Sequence, residues 1–108
     1  MKPVFIRNNF QDEDAFEDVL GITDALEQNF RKMTAKGAQS KVIYVDVKEY
    51  ENAYSMKGRY HVAGDAVEVR VRLFKGKTLV GEEFKVNGMK GDLPGLVKSI
   101  LGEVMGRI

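Results

Sequence analysis

This 108-residue sequence predicts an α/β (α+β) domain, a two-layer sandwich with two helices on one side of a mixed five-stranded sheet in the order β-α-β-β-β-β-α. Three observations carry that expectation. From Tyr54 to Val86, apolar and polar side chains alternate strictly in three segments, separated by Gly64-Asp65 and Gly76-Lys77. Two other stretches repeat apolar residues at helical spacing, and two short apolar runs, Val4-Phe5-Ile6 and Lys41 to Val47, read as further strands.

The elements follow in chain order. Val4-Phe5-Ile6, bounded by Pro3 and Asn8-Asn9, is the first strand. The cluster Asp12-Glu13-Asp14 marks the start of a helix, because carboxylates favour the positive end of a helix dipole. Phe16, Val19, Leu20, Thr23, Leu26, Phe30 and Met33 form its apolar stripe, and Gly37 its stop. The run Lys41-Val42-Ile43-Tyr44-Val45-Asp46-Val47 reads as a second strand, buried on both sides or central, joined to the first by a right-handed crossover that leaves the two parallel.

Three strands of alternating pattern come next. Gly64-Asp65 and Gly76-Lys77 each fit a two-residue type II′ hairpin turn. Those turns set a register: Tyr60 faces Val69, Val69 faces Phe84 and Leu73 faces Val80. On the other face His61 meets Glu68, Glu68 meets Lys85 and Arg70 meets Glu83. Two pairs resist, Arg59 with Arg70 and Lys57 with Arg72, and Glu82 falls on the core side, which points to an edge or to a bulge near Gly81. Asp92 caps a last helix with Pro94 in its first turn and a stripe of Leu93, Leu96, Val97, Ile100, Leu101, Val104 and Ile108.

Composition narrows the function classes. With 44% hydrophobic and 31% charged residues the chain can build a core. A net charge of +1, from 17 basic and 16 acidic residues, argues against a chain made mainly to coat nucleic acid or an anionic membrane. The absence of cysteine excludes disulfides, thiolate zinc sites and cysteine nucleophiles. No apolar run is long enough for a membrane span, and the start has no signal-peptide core, so the reading is a cytoplasmic chain or one domain, residues 1–108, of a longer exported one.

No catalytic, cofactor or metal residues stand out. His61, the sole histidine, has Glu68 as its neighbour by register but no nucleophile, and reads as a surface histidine. Asp12, Glu13, Asp14, Glu17 and Asp18 lack the one-three-five spacing and central glycine of a calcium loop. The glycines form no strand–loop–helix phosphate cradle. Lys57, Arg59, Arg70 and Arg72 are the one basic cluster. Phe74 and Leu79 make a small exposed apolar spot beside a turn. These six are the candidate partner contacts. A nucleic-acid sheet would add stacking aromatics, whereas here only Phe74 is exposed and Glu68 and Glu83 interrupt the charge.

Ala53-Tyr54-Ser55-Met56-Lys57-Gly58-Arg59-Tyr60, the Gly64-Asp65 turn, then Val67, Val69, Val71, Leu73 and Gly76 resemble the amino-terminal domain of TolB and its relatives in bacterial envelope proteins, including the curli-secretion lipoprotein group. The resemblance spans about residues 40–108, with residues 3–35 looser; relatives often end the first strand in Pro-Phe, where this chain has Phe10 after Arg7-Asn8-Asn9. It implies a mixed sheet with helices, a periplasmic or envelope location, no catalysis and an adaptor role. The expectation is therefore a non-catalytic protein-interaction or regulatory domain whose partner is another protein or a neighbouring domain. The alternative is a nucleic-acid-binding module using the basic face.

Overall fold

A computed structural model describes residues 2–108. Its elements are β1 (Val4–Phe5), β2 (Asn9–Asp12), α1 (Ile22–Thr34), a 3-10 turn (Gly37–Gln39), β3 (Ile43–Tyr44), β4 (Tyr54–Ala63), β5 (Ala66–Lys75), β6 (Thr78–Leu79), β7 (Phe84–Met89) and α2 (Leu93–Met105). The seven strand segments fill five positions of one mixed sheet. β1 and β2 lie in succession along one side of β4, and β6 and β7 lie in succession along the outer side of β5. β1 runs parallel to β3 and β4; the β4–β5–β7 ladder is antiparallel. The architecture is the α/β sandwich expected from the sequence.

The alternating pattern builds the centre. Pairs run from Tyr54↔Lys75 to Ala63↔Ala66, and Gly64 supplies the positive φ of 62° at the turn. One face buries Met56, Tyr60, Val67, Val69, Val71 and Leu73 against Ile22, Leu26 and Phe30 of α1 and Leu96, Val97, Ile100 and Val104 of α2. Fully burying one such aliphatic side chain contributes about 1.5–3 kcal/mol. Among the described residues no helix covers the opposite face. Asp92 caps α2 as expected, its Oδ1 accepting from the Gly95 amide at 3.1 Å.

Three expectations are corrected. The helix placed from Asp12 begins only at Ile22. Asn9–Asp12 instead pairs with β4 as a strand, and Phe10 packs onto Gly58 so closely that a Cβ there would lie 2.3 Å from its ring. The acids fold back locally: the Asp12 carboxylate accepts from the Asp14 and Ala15 amides at 2.8 and 3.0 Å. Asp18 supplies the cap that Gly21 lacks, accepting from the Ile22 and Thr23 amides at 3.1 and 2.6 Å. Phe16 and Val19, assigned to the buried stripe, are 73% and 54% exposed.

The second strand is not central. Only Ile43–Tyr44 is strand, at the sheet edge against β1, with Val42 and Tyr44 buried and Ile43 facing out. The Val47 amide donates to the Val45 carbonyl at 2.9 Å, a tight turn that interrupts the regular pairing before the Arg7 amide reaches the Val47 carbonyl at 3.2 Å. Residues 45–53 then pass Ile6 and enter β4.

The last strand shifts register. Phe74↔Leu79 pairs as the turn demands, and the Val80 amide donates to the Leu73 carbonyl at 2.7 Å. Beyond a bulge with Gly81 at φ 68° and Glu82 in solvent, the ladder resumes two residues later. Val69 therefore faces Val86 rather than Phe84, Glu68 faces Asn87 rather than Lys85, and Arg70 faces Lys85 rather than Glu83. An even slip preserves side-chain alternation, so Phe84 and Val86 stay buried.

A smaller irregularity separates β1 from β2, where one extra residue enters opposite β4. Asn8 is buried there, and its Oδ1 accepts from the Met56 amide at 2.9 Å, pairing a donor that the interrupted ladder leaves free.

Candidate partner-binding face

Period-two alternation points the partners of the core residues outward. From β4 come Ser55, Lys57, Arg59 and His61; from β5 come Glu68, Arg70, Arg72 and Phe74. Gln11 of β2 and Lys85 of β7 extend the same face. Its middle is a groove of about 520 Å³, lined by Lys57, Arg59, Arg70, Arg72 and Phe74, with Glu13 and Glu83 on its rim. Five of the six candidate contacts thus meet in one place. Leu79, 43% exposed, pairs with Phe74 across the strands but does not line the groove. Lys57 also borders a second depression of about 570 Å³ walled by Ile6, Tyr50 and Lys77.

The charges on this face are unequally matched. Arg59 stands opposite Arg70, and Lys57 opposite Arg72. Like charges in such positions destabilise a sheet. Acids draw one member of each pair aside: Arg70 lies 3.6 Å from Glu13 and 3.8 Å from Glu68, and Arg72 lies 3.3 Å from Glu83. Lys57 sits over the Phe74 ring at 5.5 Å. Among the described residues, Lys57 and Arg59 have no carboxylate within ion-pair distance.

His61 stands opposite Glu68 in the β4–β5 register, as expected, but its side chain turns to other acids. Its Nδ1 lies 3.2 Å from Glu13 and 3.6 Å from Asp14, while Glu68 serves Arg70 and Lys85. The side chain is 49% exposed on an open face. The Tyr60 hydroxyl points the other way, into the core side. It donates to Asp18 at 2.7 Å and accepts from the Leu20 amide at 3.0 Å, and burial together with Asp18 raises its pKa. At the far edge, desolvation and a hydrogen bond to Glu27 push the Tyr44 hydroxyl up to about 12. Arg7 holds the Asp46 carboxyl below its ordinary range through a 2.6 Å contact. Among the described residues no group of three His, Cys, Asp or Glu side chains is gathered as a metal would require.

No family model matches this chain, and no curated protein matches it. Two solved structures are similar in outline. One is an uncharacterized protein, 8% identical over 97% of this chain and 88% of that one, with a TM-score of 0.49. The other is the N-terminal domain of Thermus thermophilus Protein Y, 12% identical over 93% of this chain and 94% of that one, with a TM-score of 0.44.

The sheet edges offer less than the face. β3 and β6 are two residues each, the bulge at Val80–Glu83 interrupts one edge, and β7 carries Lys85, features that blunt strand addition. Arg107 covers the Phe84 ring at 4.4 Å. No helix among the described residues is long and apolar enough to cross a membrane. Reasoning from sequence missed the exposed Phe16 and Val19 and the role of Glu13. Signal for β2 is slight in the sequence, since Phe10 is the one apolar residue in Asn9-Phe10-Gln11-Asp12.

Proposed function

We propose that this chain is a non-catalytic protein-interaction or regulatory domain that recognises an acidic segment of another protein, or of a neighbouring domain in the same chain. The observation that supports this best is the pair Lys57 and Arg59, two cations left without carboxylates in a groove on a helix-free sheet face. An acidic segment laid along that groove gives them partners and relieves the repulsion they feel from Arg70 and Arg72. The resemblance to the TolB amino-terminal domain adds an adaptor role in a bacterial periplasm or envelope to this reading.

A nucleic-acid reading would use the same cations. It fits less well, because Glu13, Glu68 and Glu83 stand among them and would face a continuous phosphate chain, and because Phe74 is the groove's one aromatic ring. Fluorescence anisotropy with a labelled Glu/Asp-rich peptide and with a labelled single-stranded oligonucleotide separates the two. Peptide binding that weakens in Lys57→Glu/Arg59→Glu supports the proposal. Oligonucleotide binding alone, lost at high salt, would replace it with the nucleic-acid reading.

A further inference from the structure

Phe16 is the most exposed large hydrophobic side chain among the described residues, at 73%, and it is held in the left-handed region at φ 57°. A phenylalanine is strained there, and such a conformation persists only where its surroundings impose it. Here they do. The Phe16 amide donates to the Asp12 carbonyl at 2.9 Å, the Asp12 amide to the Glu17 carbonyl at 2.8 Å, and the Glu13 amide to the Tyr60 carbonyl at 2.9 Å. The loop is fastened to β4 while Phe16 and Val19 point into solvent.

The flanks of this apolar knob are acidic, with Asp14 79% exposed and Glu17 in solvent. A surface that receives it needs cations around an apolar floor. The groove of the same chain has both, in Lys57 over the Phe74 ring and in Arg59 farther along β4. Within one molecule the loop touches that groove only through Glu13. Asp12 and Asp18 are spent on backbone amides and Asp14 lies 3.6 Å from His61, so Glu17, the solvent side of Asp14 and Phe16 are what a second molecule can meet.

We infer that two copies of this chain pair face to face, the Phe16 loop of each entering the basic groove of the other. The inference rests on the proposed acid-binding role of the groove and names a second copy as its occupant. Loop and groove adjoin at Glu13, so a two-fold rotation makes both contacts at once and closes the assembly as a dimer rather than a filament. The attraction is largely electrostatic and weakens with salt.

Sedimentation velocity of the full chain over a wide concentration series, at low and high salt, tests this with two charge reversals. Asp14→Lys/Glu17→Lys reverses the loop. Lys57→Glu/Arg59→Glu reverses the groove, and folding is protected because each new glutamate faces an arginine. Each variant alone is expected to dimerise at least about tenfold more weakly than the natural chain, and the two mixed to associate again. Phe16→Ala is expected to weaken pairing without altering the salt dependence. A natural chain that stays monomeric throughout, or reversed variants that do not associate when mixed, overturns the inference. If the chain is monomeric yet its groove still binds the acidic peptide, self-pairing alone has failed; if the peptide fails as well, the proposed function has failed too.

Discussion

Arg59 and Arg70 face each other across β4 and β5, and only Arg70 has acidic neighbours, Glu13 at 3.6 Å and Glu68 at 3.8 Å. The next outward-facing pair repeats the asymmetry, with Arg72 held by Glu83 and Lys57 lying over Phe74. A sheet selected for stability alone would place opposite charges in these positions. Lys57 and Arg59 are the groups that the proposed acidic partner would engage.

The Gly58 backbone serves as a seat for Phe10. In Gly58→Ala, the new Cβ would lie 2.3 Å from the ring, and the ring is fully buried. Chemical denaturation is expected to show a loss of about 1–3 kcal/mol. In the background of Phe10→Leu the same substitution is expected to cost clearly less, because the smaller side chain can give way. Equal costs in both backgrounds would mean that the close approach does not limit the site.

The Phe16 conformation costs stability. Phe16→Gly removes the left-handed strain but adds unfolded-chain entropy, so stability is expected to stay level or rise by up to about 1 kcal/mol. Thermal melts check this. A drop of more than that size would show Phe16 packing within its own chain.

Tyr60 makes stability sensitive to alkali. Burial, with the bond to Asp18, raises the folded-state pKa above the ordinary 10.0, so the folded protein holds this proton more tightly than the unfolded chain. The resulting stabilisation is complete below pH 10.0 and is lost as pH rises above it. Tyr60→Phe is expected to be about 1 kcal/mol or somewhat more less stable at neutral pH, since it leaves the Asp18 carboxylate and the Leu20 amide short of a partner. Urea midpoints of the two proteins should converge as pH climbs beyond 10.0. A constant gap would contradict the role given to this hydroxyl.

Much of this architecture is legible in the alternating segments. The β4–β5 register, including the resistant pair Arg59 and Arg70, follows from the Gly64-Asp65 turn and the period of two. The basic groove follows from the same pattern, since Lys57, Arg59, Arg70, Arg72 and Phe74 share a parity and a face. The bulge after β6 is harder to read: two extra residues keep every side chain on its expected face, so hydrophobic pattern carries no trace of the slip beyond Gly81 and the misplaced Glu82. The start of α1 misleads for another reason. Phe16 and Val19 fall at helical spacing, but Asp12 and Asp18 spend their carboxylates on loop and cap amides, and that competition between local turns and helix depends on Tyr60, forty-two residues from Asp18 in the chain.

Stability and peptide binding measured together in Arg59→Glu decide whether the groove is a binding site. The substitution sets an acid opposite Arg70, so the unfolding free energy is expected to be unchanged or raised on the order of 0.2–1 kcal/mol, while affinity for a labelled acidic peptide falls about tenfold or more. Lowered stability with peptide affinity intact would contradict that reading of the groove, and would return Arg59 to an ordinary place in the sheet.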